Sequence, residues 1–252
     1  MNPVMNTTVS RKLDDNYSLT IDYLPLALRY LIVPDRSHRQ FALMTAVSFV
    51  VLIACFIIYA IVEKYQMTDN FFYGQVSFSF IDRGYPECFG YFLEFMCFVI
   101  FGFYAWAHKE KQWYAWSAIF LNVFLDDAFS AHESVGNFFY AAMSIPPVWG
   151  GLIGFAIIGL LSAALWCAGM AASPKQGLEF KTYMLFSIYF GLLVFFGVGV
   201  DAVHGLLHAQ LAVSETLVTL VEDGGELFIT CVFCISALGM WCRDKDRLIF
   251  EQ

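Results

Sequence analysis

Apolar residues fall into six long runs separated by short polar segments. The runs cover residues 42–62, 88–107, 113–128, 148–172, 182–203 and 221–242. A hydrocarbon core about 30 Å thick needs roughly 20 apolar residues in a helix, and five runs reach that length. The third run is short for a full span. Because the runs are continuous rather than alternating, they predict helices and not the strands of a barrel. We therefore expect an all-α integral membrane protein, a bundle of six transmembrane helices.

The same pattern divides the chain into three parts. We expect an amino-terminal segment at 1–40, a transmembrane domain at 41–243 and a short tail at 244–252. Residues 24–33, LPLALRYLIV, are apolar but too few to span, and they predict an interfacial amino-terminal helix. A chain that is 59% hydrophobic and 14% charged has the composition of a membrane protein.

Basic residues indicate the orientation of the bundle. Twelve of the fourteen Lys and Arg residues flank the runs on one side: Arg11, Lys12, Arg29, Arg36, Arg39, Lys109, Lys111, Lys175, Lys181, Arg243, Lys245 and Arg247. The other side has only Lys64 and Arg83. Short basic loops remain in the cytoplasm, so we expect both termini there and the opposite side facing the periplasm of a bacterial inner membrane, or its equivalent. Basic residues spread over four segments, with a net charge of −8, do not predict a nucleic-acid partner.

Acidic and histidine residues collect on that opposite side, near the ends of three spans. They are Asp126, Asp127, His132, Glu133, Asp201, His204, His208, Glu222, Asp223 and Glu226. Ionisable groups within or beside spans mark functional sites by default. Since these groups lie at similar depth on separate helices, we expect them to converge on one site.

The end of the fifth run has metal-ligand spacing. Asp201, His204 and His208 are spaced i, i+3, i+7 and share one face if the helix continues. Two His residues four apart bind one metal ion from a helix, and a nearby carboxylate either ligates or fixes an imidazole tautomer. The alternative is a set of interfacial His residues with a structural role.

The sixth run begins with three carboxylates. Glu222 and Glu226 are four apart, and Asp223 lies beside the first of them. Helix amino-termini favour negative charge, which gives Glu222 and Asp223 a structural explanation as well. Glu226 lies a turn deeper, where capping does not explain it.

The third run ends with two adjacent carboxylates and a nearby His. Asp126 and Asp127 follow the apolar stretch FLNVFL, and the pattern leaves open which one faces inward. If the helix continues, Asp126, Ser130 and Glu133 share a face. We assign Asp127 and His132 to the site.

Glu94 lies within the second run, two turns from Glu87. Their i, i+7 spacing marks one helix face and predicts a water-filled cavity reaching from the acidic side down to Glu94. The alternative is a buried pairing with a neighbouring helix.

Together these patterns predict a site of metal ligands and catalytic groups. The expected metal ligands are Asp127, His132, Asp201, His204, His208, Glu222 and Glu226, and the expected catalytic residues are Glu133, Asp223 and Glu94. About four carboxylates with two or three His suit a dinuclear iron or manganese centre in a helical bundle. Two or three His with one carboxylate suit catalytic zinc. Iron or zinc is thus the expected cofactor.

The HxxxH of His204 and His208 resembles that of membrane hydrolases of the alkaline ceramidase type. Asp127, Ser130 and His132 are the counterparts of the further Asp, Ser and His residues of those enzymes. The resemblance implies zinc-dependent hydrolysis at a non-cytoplasmic face. The chain departs from that family in helix number and in the residues after the HxxxH.

The sequence favours a metal-dependent membrane enzyme that acts on an apolar or lipid-like substrate, by oxidation at iron or hydrolysis at zinc. A membrane subunit of a larger complex, with a structural metal or a partner-binding cluster, is the main alternative. A cation- or proton-coupled transporter fits less well, because the charges gather at one end rather than at the midplane.

Overall fold

The computed structural model describes residues 26–33, 35–143, 147–200 and 215–250. The helices are α1 (Leu26–Leu31), α2 (Arg36–Lys64), α3 (Tyr85–His108), α4 (Lys111–Phe129), α5 (Ala131–Met143), α6 (Pro147–Ala172), α7 (Leu178–Val194) and α8 (Glu215–Phe250). A 3₁₀ turn covers Val76–Phe78, and α7 continues as a π-helical turn over Phe195–Val200. The described part of the chain is all-helical, as the continuous apolar runs predict.

Five helical stretches in the described residues are long and apolar enough to cross a membrane. They are Arg36–Lys64, Tyr85–His108, Ile153–Ala172, Leu178–Val200 and Thr216–Asp244. The remaining predicted span, the third run at 113–128, corresponds to α4, which is 19 residues long and contains both polar and charged groups. The fold is therefore that of a multi-pass membrane protein with five candidate spans, and α4 packs among them.

Aromatic rings from four helices form the core. Phe101 of α3 contacts Phe186 of α7 and Phe233 of α8, with ring centroids 5.1 and 6.1 Å apart. Trp116 of α4 lies 5.5 Å from Phe233. Helices in a bilayer associate through close packing, and aromatic pairs add about 0.5–1.5 kcal/mol each. These contacts fix α3, α4, α7 and α8 around one another.

The outer helices attach to this core in a way that leaves α6 and α7 apart at one end. α6 packs mainly on α4 and α5, whereas α7 packs on α8 and α1. α6 and α7 meet towards the end of the bundle where α6 ends and α7 begins. There the Trp166 indole N–H donates to Ser187 Oγ at 2.9 Å, and the Tyr183 hydroxyl donates to the Trp166 carbonyl at 2.8 Å. Beyond these bonds the two helices diverge and open a cleft.

Candidate functional site

Five carboxylates line a small cavity at the end of the bundle where α2 ends and α3 begins, here called the carboxylate end. The carboxylates come from three helices: Glu87 and Glu94 of α3, Asp127 of α4, and Asp223 and Glu226 of α8. The cavity measures about 30 Å³, room for one or two water-sized groups. No Lys, Arg or His is among the residues that line it in the described part of the chain. The negative charge must therefore be balanced by protons, by water or by a cation.

Glu94 lies at the buried side of this small cavity. It is 4% exposed, and its Oε2 atom has no hydrogen-bond partner among the described residues. Its carboxyl group lies within hydrogen-bonding reach of that of Asp127. Two ionised carboxylates cannot bond to each other, so a direct hydrogen bond between them requires a shared proton. The Tyr91 hydroxyl lies within reach of Glu87 in the same way. Glu87 and Glu94 thus share one cavity, as their spacing predicts.

Asp126 and His132 form a pair at the junction of α4 and α5. Asp126 Oδ1 accepts the backbone N–H of His132 and also lies 2.8 Å from its Nδ1 atom. Between them Ser130 adopts a left-handed conformation, with φ of 49°, and ends α4. The helix does not continue past Phe129, so Asp126, Ser130 and Glu133 do not share a helical face. The physical reason is that Asp126 turns back to satisfy an N–H group at the start of α5.

A much larger cavity of about 590 Å³ lies in the cleft between α6 and α7 and against α4. Its lining is mostly apolar and includes Val123, Phe155, Ile158, Ala163, Trp166, Phe190, Leu193, Val194 and Val198. The polar groups Asp126, Asp127, His132 and Glu226 lie at the carboxylate end of the cavity. There the imidazole of His132 stacks on Phe155, with ring centroids 3.9 Å apart.

Asp127 and Glu226 line both cavities. They form the boundary between a volume suited to an apolar molecule and a volume suited to water or an ion. Gly197, in the π-helical turn, fits against Glu226: a Cβ atom there would lie 2.8 Å from Glu226 Oε1. The absence of a side chain at Gly197 thus lets the end of the α7 span approach the Glu226 carboxylate.

The structure brings some of the predicted site residues together and leaves others apart. Asp127, His132 and Glu226 line the large cavity, and Glu94 and Asp223 line the small one. Glu222 is half-buried and lines neither, and Glu133 is exposed on α5. Asp201, His204 and His208 lie outside the described residues. Within the described ranges, no group of three or more His, Cys, Asp or Glu side chains is placed to hold a metal ion.

Sequence patterns alone do not single out several groups that the fold places at the site. Tyr91 lies four residues after Glu87, a spacing that brings two side chains of one helix together. The sequence does not decide between Asp126 and Asp127, and the structure gives each a separate role. Trp166 and Ser187 lie in different apolar runs, and nothing in the sequence around either residue predicts that they hydrogen-bond to each other beside the large cavity.

Comparison with known proteins gives a family. The chain belongs to the family of the domain of unknown function DUF8692, whose model matches residues 44–240. No curated protein and no solved structure matches the chain.

Proposed function

We propose that this member of the DUF8692 family is a metal-dependent integral-membrane enzyme. It binds an apolar or lipid-like substrate in the large cavity and acts on it at the carboxylate end. The observation that carries the proposal is the position of Asp127 and Glu226 on the boundary of both cavities. Enzyme sites commonly combine a mostly apolar cavity with a few convergent polar groups.

The proposed cofactor is a divalent transition metal, iron or zinc. Since no three described side chains are placed to hold an ion, such a site needs donors beyond them. Asp127, Glu226 and His132 supply two carboxylates and an imidazole on the large cavity. Asp126 holds Nδ1 of His132, which leaves Nε2 available to a ligand, the arrangement that orients metal-binding imidazoles. Gly197 and Glu226 are in contact, so Asp201 follows within four residues of the site along the chain. We propose Asp201, His204 and His208 as the remaining donors.

The chain's own residues then have distinct roles. The apolar walls exclude water from the substrate, and the Asp126–His132 pair holds one imidazole in a fixed orientation. Glu94 holds a proton with Asp127 beside the site. A bound metal would polarise a substrate oxygen or activate water.

The orientation of the bundle follows from the basic residues. We propose six spans, with α4 as the shortest, both termini in the cytoplasm, and the carboxylate end facing the periplasm or its equivalent. The sequence from 24 to 33 overlaps α1, whose Tyr30 is buried and shares a hydrogen bond of 2.8 Å with Thr182. We propose that α1 lies at the cytoplasmic interface and anchors the amino-terminal segment.

The test is the metal content of the purified full-length protein. The protein is reconstituted in lipid nanodiscs with Fe²⁺ or Zn²⁺, washed, and measured by plasma mass spectrometry per chain. We expect near-stoichiometric retention of one of the two metals by the wild type. Retention should fall about tenfold to a hundredfold in Glu226→Gln and in the double variant His204→Ala, His208→Ala.

Two controls complete the experiment. Asp69→Asn removes a carboxylate that is exposed in the 64–86 segment, and it should retain metal like the wild type. The loaded protein is then incubated in air with a chemical reductant and a total lipid extract, so that dioxygen is the oxidant, and products are sought by mass spectrometry. An oxidised product supports the iron form and a hydrolysed product the zinc form. Absence of metal in the wild type, or equal retention in all variants, contradicts the proposal.

A further inference from the structure

The large cavity lies along α6, between the Trp166–Ser187 hydrogen bond of 2.9 Å and the His132–Phe155 stack, and is here called the slot. Phe155 and Trp166 are eleven residues apart on α6, so the slot is about 16 Å long. This is the length of an extended dodecyl chain. A volume of 590 Å³ lies within the roughly 300–1,000 Å³ of small-molecule sites, so the cavity has room for a chain of this length.

The slot opens sideways between α6 and α7. Phe155, Val194 and Val198 line it and are 48%, 46% and 53% exposed in the described bundle. Gly159 and Gly191 line it from the two helices, and a Cβ atom added at either would meet nothing within 4 Å. Both helices are long and apolar enough to span, so in a bilayer the opening beside Gly159 and Gly191 would face the hydrocarbon. A chain dissolved in the bilayer can enter without crossing water.

The polar end of the slot selects against negative charge. It presents Asp126, Asp127 and Glu226 together with His132, whose Nδ1 atom is paired with Asp126, and no Lys or Arg is among the described residues that line the slot. In the metal-free protein an anionic carboxylate or phosphate head therefore gains no Lys or Arg partner and meets the repulsion of three carboxylates. An uncharged hydroxyl head can instead donate a hydrogen bond to a carboxylate oxygen.

We infer that the slot binds a single-chain amphiphile with an uncharged hydroxyl head, its chain towards Trp166 and its head at Asp127 and Glu226. The inference names the substrate class of the proposed enzyme, and it rests on the proposed function for the claim that this molecule is a substrate. Binding itself requires no catalysis and no metal.

The experiment uses bromine as a short-range quencher of tryptophan fluorescence. The full-length protein in nanodiscs, without added metal, is titrated with ω-bromododecanol and, separately, with ω-bromododecanoate. If the chain occupies the slot, its bromine end lies beside Trp166. We expect saturable quenching by the alcohol, and binding of the carboxylate weaker by about tenfold or more. The chain has 6 Trp residues, so the Trp166 component is obtained by difference from Trp166→Phe.

Matched variants locate the bound chain. Ser187→Ala breaks the same hydrogen bond as Trp166→Phe but keeps the indole, so it should retain the quenching. Gly191→Phe fills the slot from α7 and should abolish saturable quenching. Ile188→Phe adds a similar side chain at a position of α7 that is 58% exposed and outside the slot, and it should have no effect. Gly159→Leu provides a second blocking variant on α6 if Gly191→Phe does not fold.

Three results would overturn the inference. They are equal binding of ω-bromododecanoate, equal quenching in Trp166→Phe, and saturable quenching that survives both blocking variants. The metal measurement tests the proposed function independently of the slot. If the protein binds the alcohol but retains no metal, the inference about the slot stands and the proposed enzyme is contradicted. If the protein retains metal but shows no specific quenching, the proposed enzyme stands and the inference about the slot is contradicted.

Discussion

Oδ1 of Asp126 accepts a hydrogen bond from the backbone N–H of His132 and lies 2.8 Å from the Nδ1 atom of the same residue. One carboxylate oxygen therefore fixes both the start of α5 and the orientation of the imidazole. α4 ends between these two residues, where Ser130 adopts a left-handed conformation. The turn from α4 to α5 and the polar end of the large cavity are thus set by one interaction.

Replacing Asp126 should separate its two roles. Asp126→Ala leaves the His132 N–H without its acceptor, and we expect a loss of about 1–3 kcal/mol in unfolding free energy. Asp126→Asn keeps a carbonyl oxygen for that N–H and should lose about 1 kcal/mol or less, while the imidazole is held less firmly. Thermal unfolding in nanodiscs and hydrogen exchange of α5 measure both effects. Glu133→Ala, at an exposed position of α5, is the control and should change stability by less than about 0.5 kcal/mol. Equal stability of Asp126→Ala and wild type would show that the bond does not hold α5.

Glu94 tests whether the small cavity belongs to the site. Glu94→Gln keeps the size of the side chain and can still donate to Asp127, so we expect normal folding with weaker metal retention. Glu94→Leu leaves Asp127 without its partner and should destabilise the fold by about 1–3 kcal/mol. Both variants are compared by thermal unfolding and by metal content. If Glu94→Leu retains metal fully and is more heat-stable than the wild type, then Glu94 is buried without contributing to the metal site.

Two glycines of the α7 span make a matched pair. A Cβ atom at Gly197 would lie 2.8 Å from Glu226 Oε1, whereas one at Gly191 meets nothing within 4 Å. Gly197→Ala should displace the Glu226 carboxylate and reduce metal affinity about tenfold or more. Gly191→Ala should leave metal affinity unchanged and stabilise the helix by roughly 0.5–1 kcal/mol. Metal titration of both variants checks the expectation, and equal affinities would contradict a ligand role for Glu226.

The orientation of the bundle is open to a direct reporter assay. Because Lys and Arg flank the runs on one side, a reporter fused after Gln252 should be active in the cytoplasm, and one inserted next to Asp69 should be active outside it. The opposite pattern would reverse the bundle and place the carboxylate end in the cytoplasm.

Much of the helical bundle is predictable from sequence because apolar runs in a bilayer can only form helices or barrels. The i, i+7 spacing of Glu87 and Glu94 likewise predicts their shared cavity, since both lie on one helix. The break at Ser130 is different, because it depends on the Asp126 carboxylate turning towards α5. The slot is also beyond sequence reasoning, since it arises from the divergence of α6 and α7 above the contact between Trp166 and Ser187.

On the proposed function, the carboxylate end and the apolar slot together form one site. The most direct measurement is the X-ray absorption spectrum of the bound metal in nanodiscs, recorded before and after saturation with dodecanol. We expect a change in the absorption edge and in the oxygen shell, because the hydroxyl head reaches the metal held by Asp127 and Glu226. Identical spectra under conditions where Trp166 quenching shows the slot to be full would contradict it.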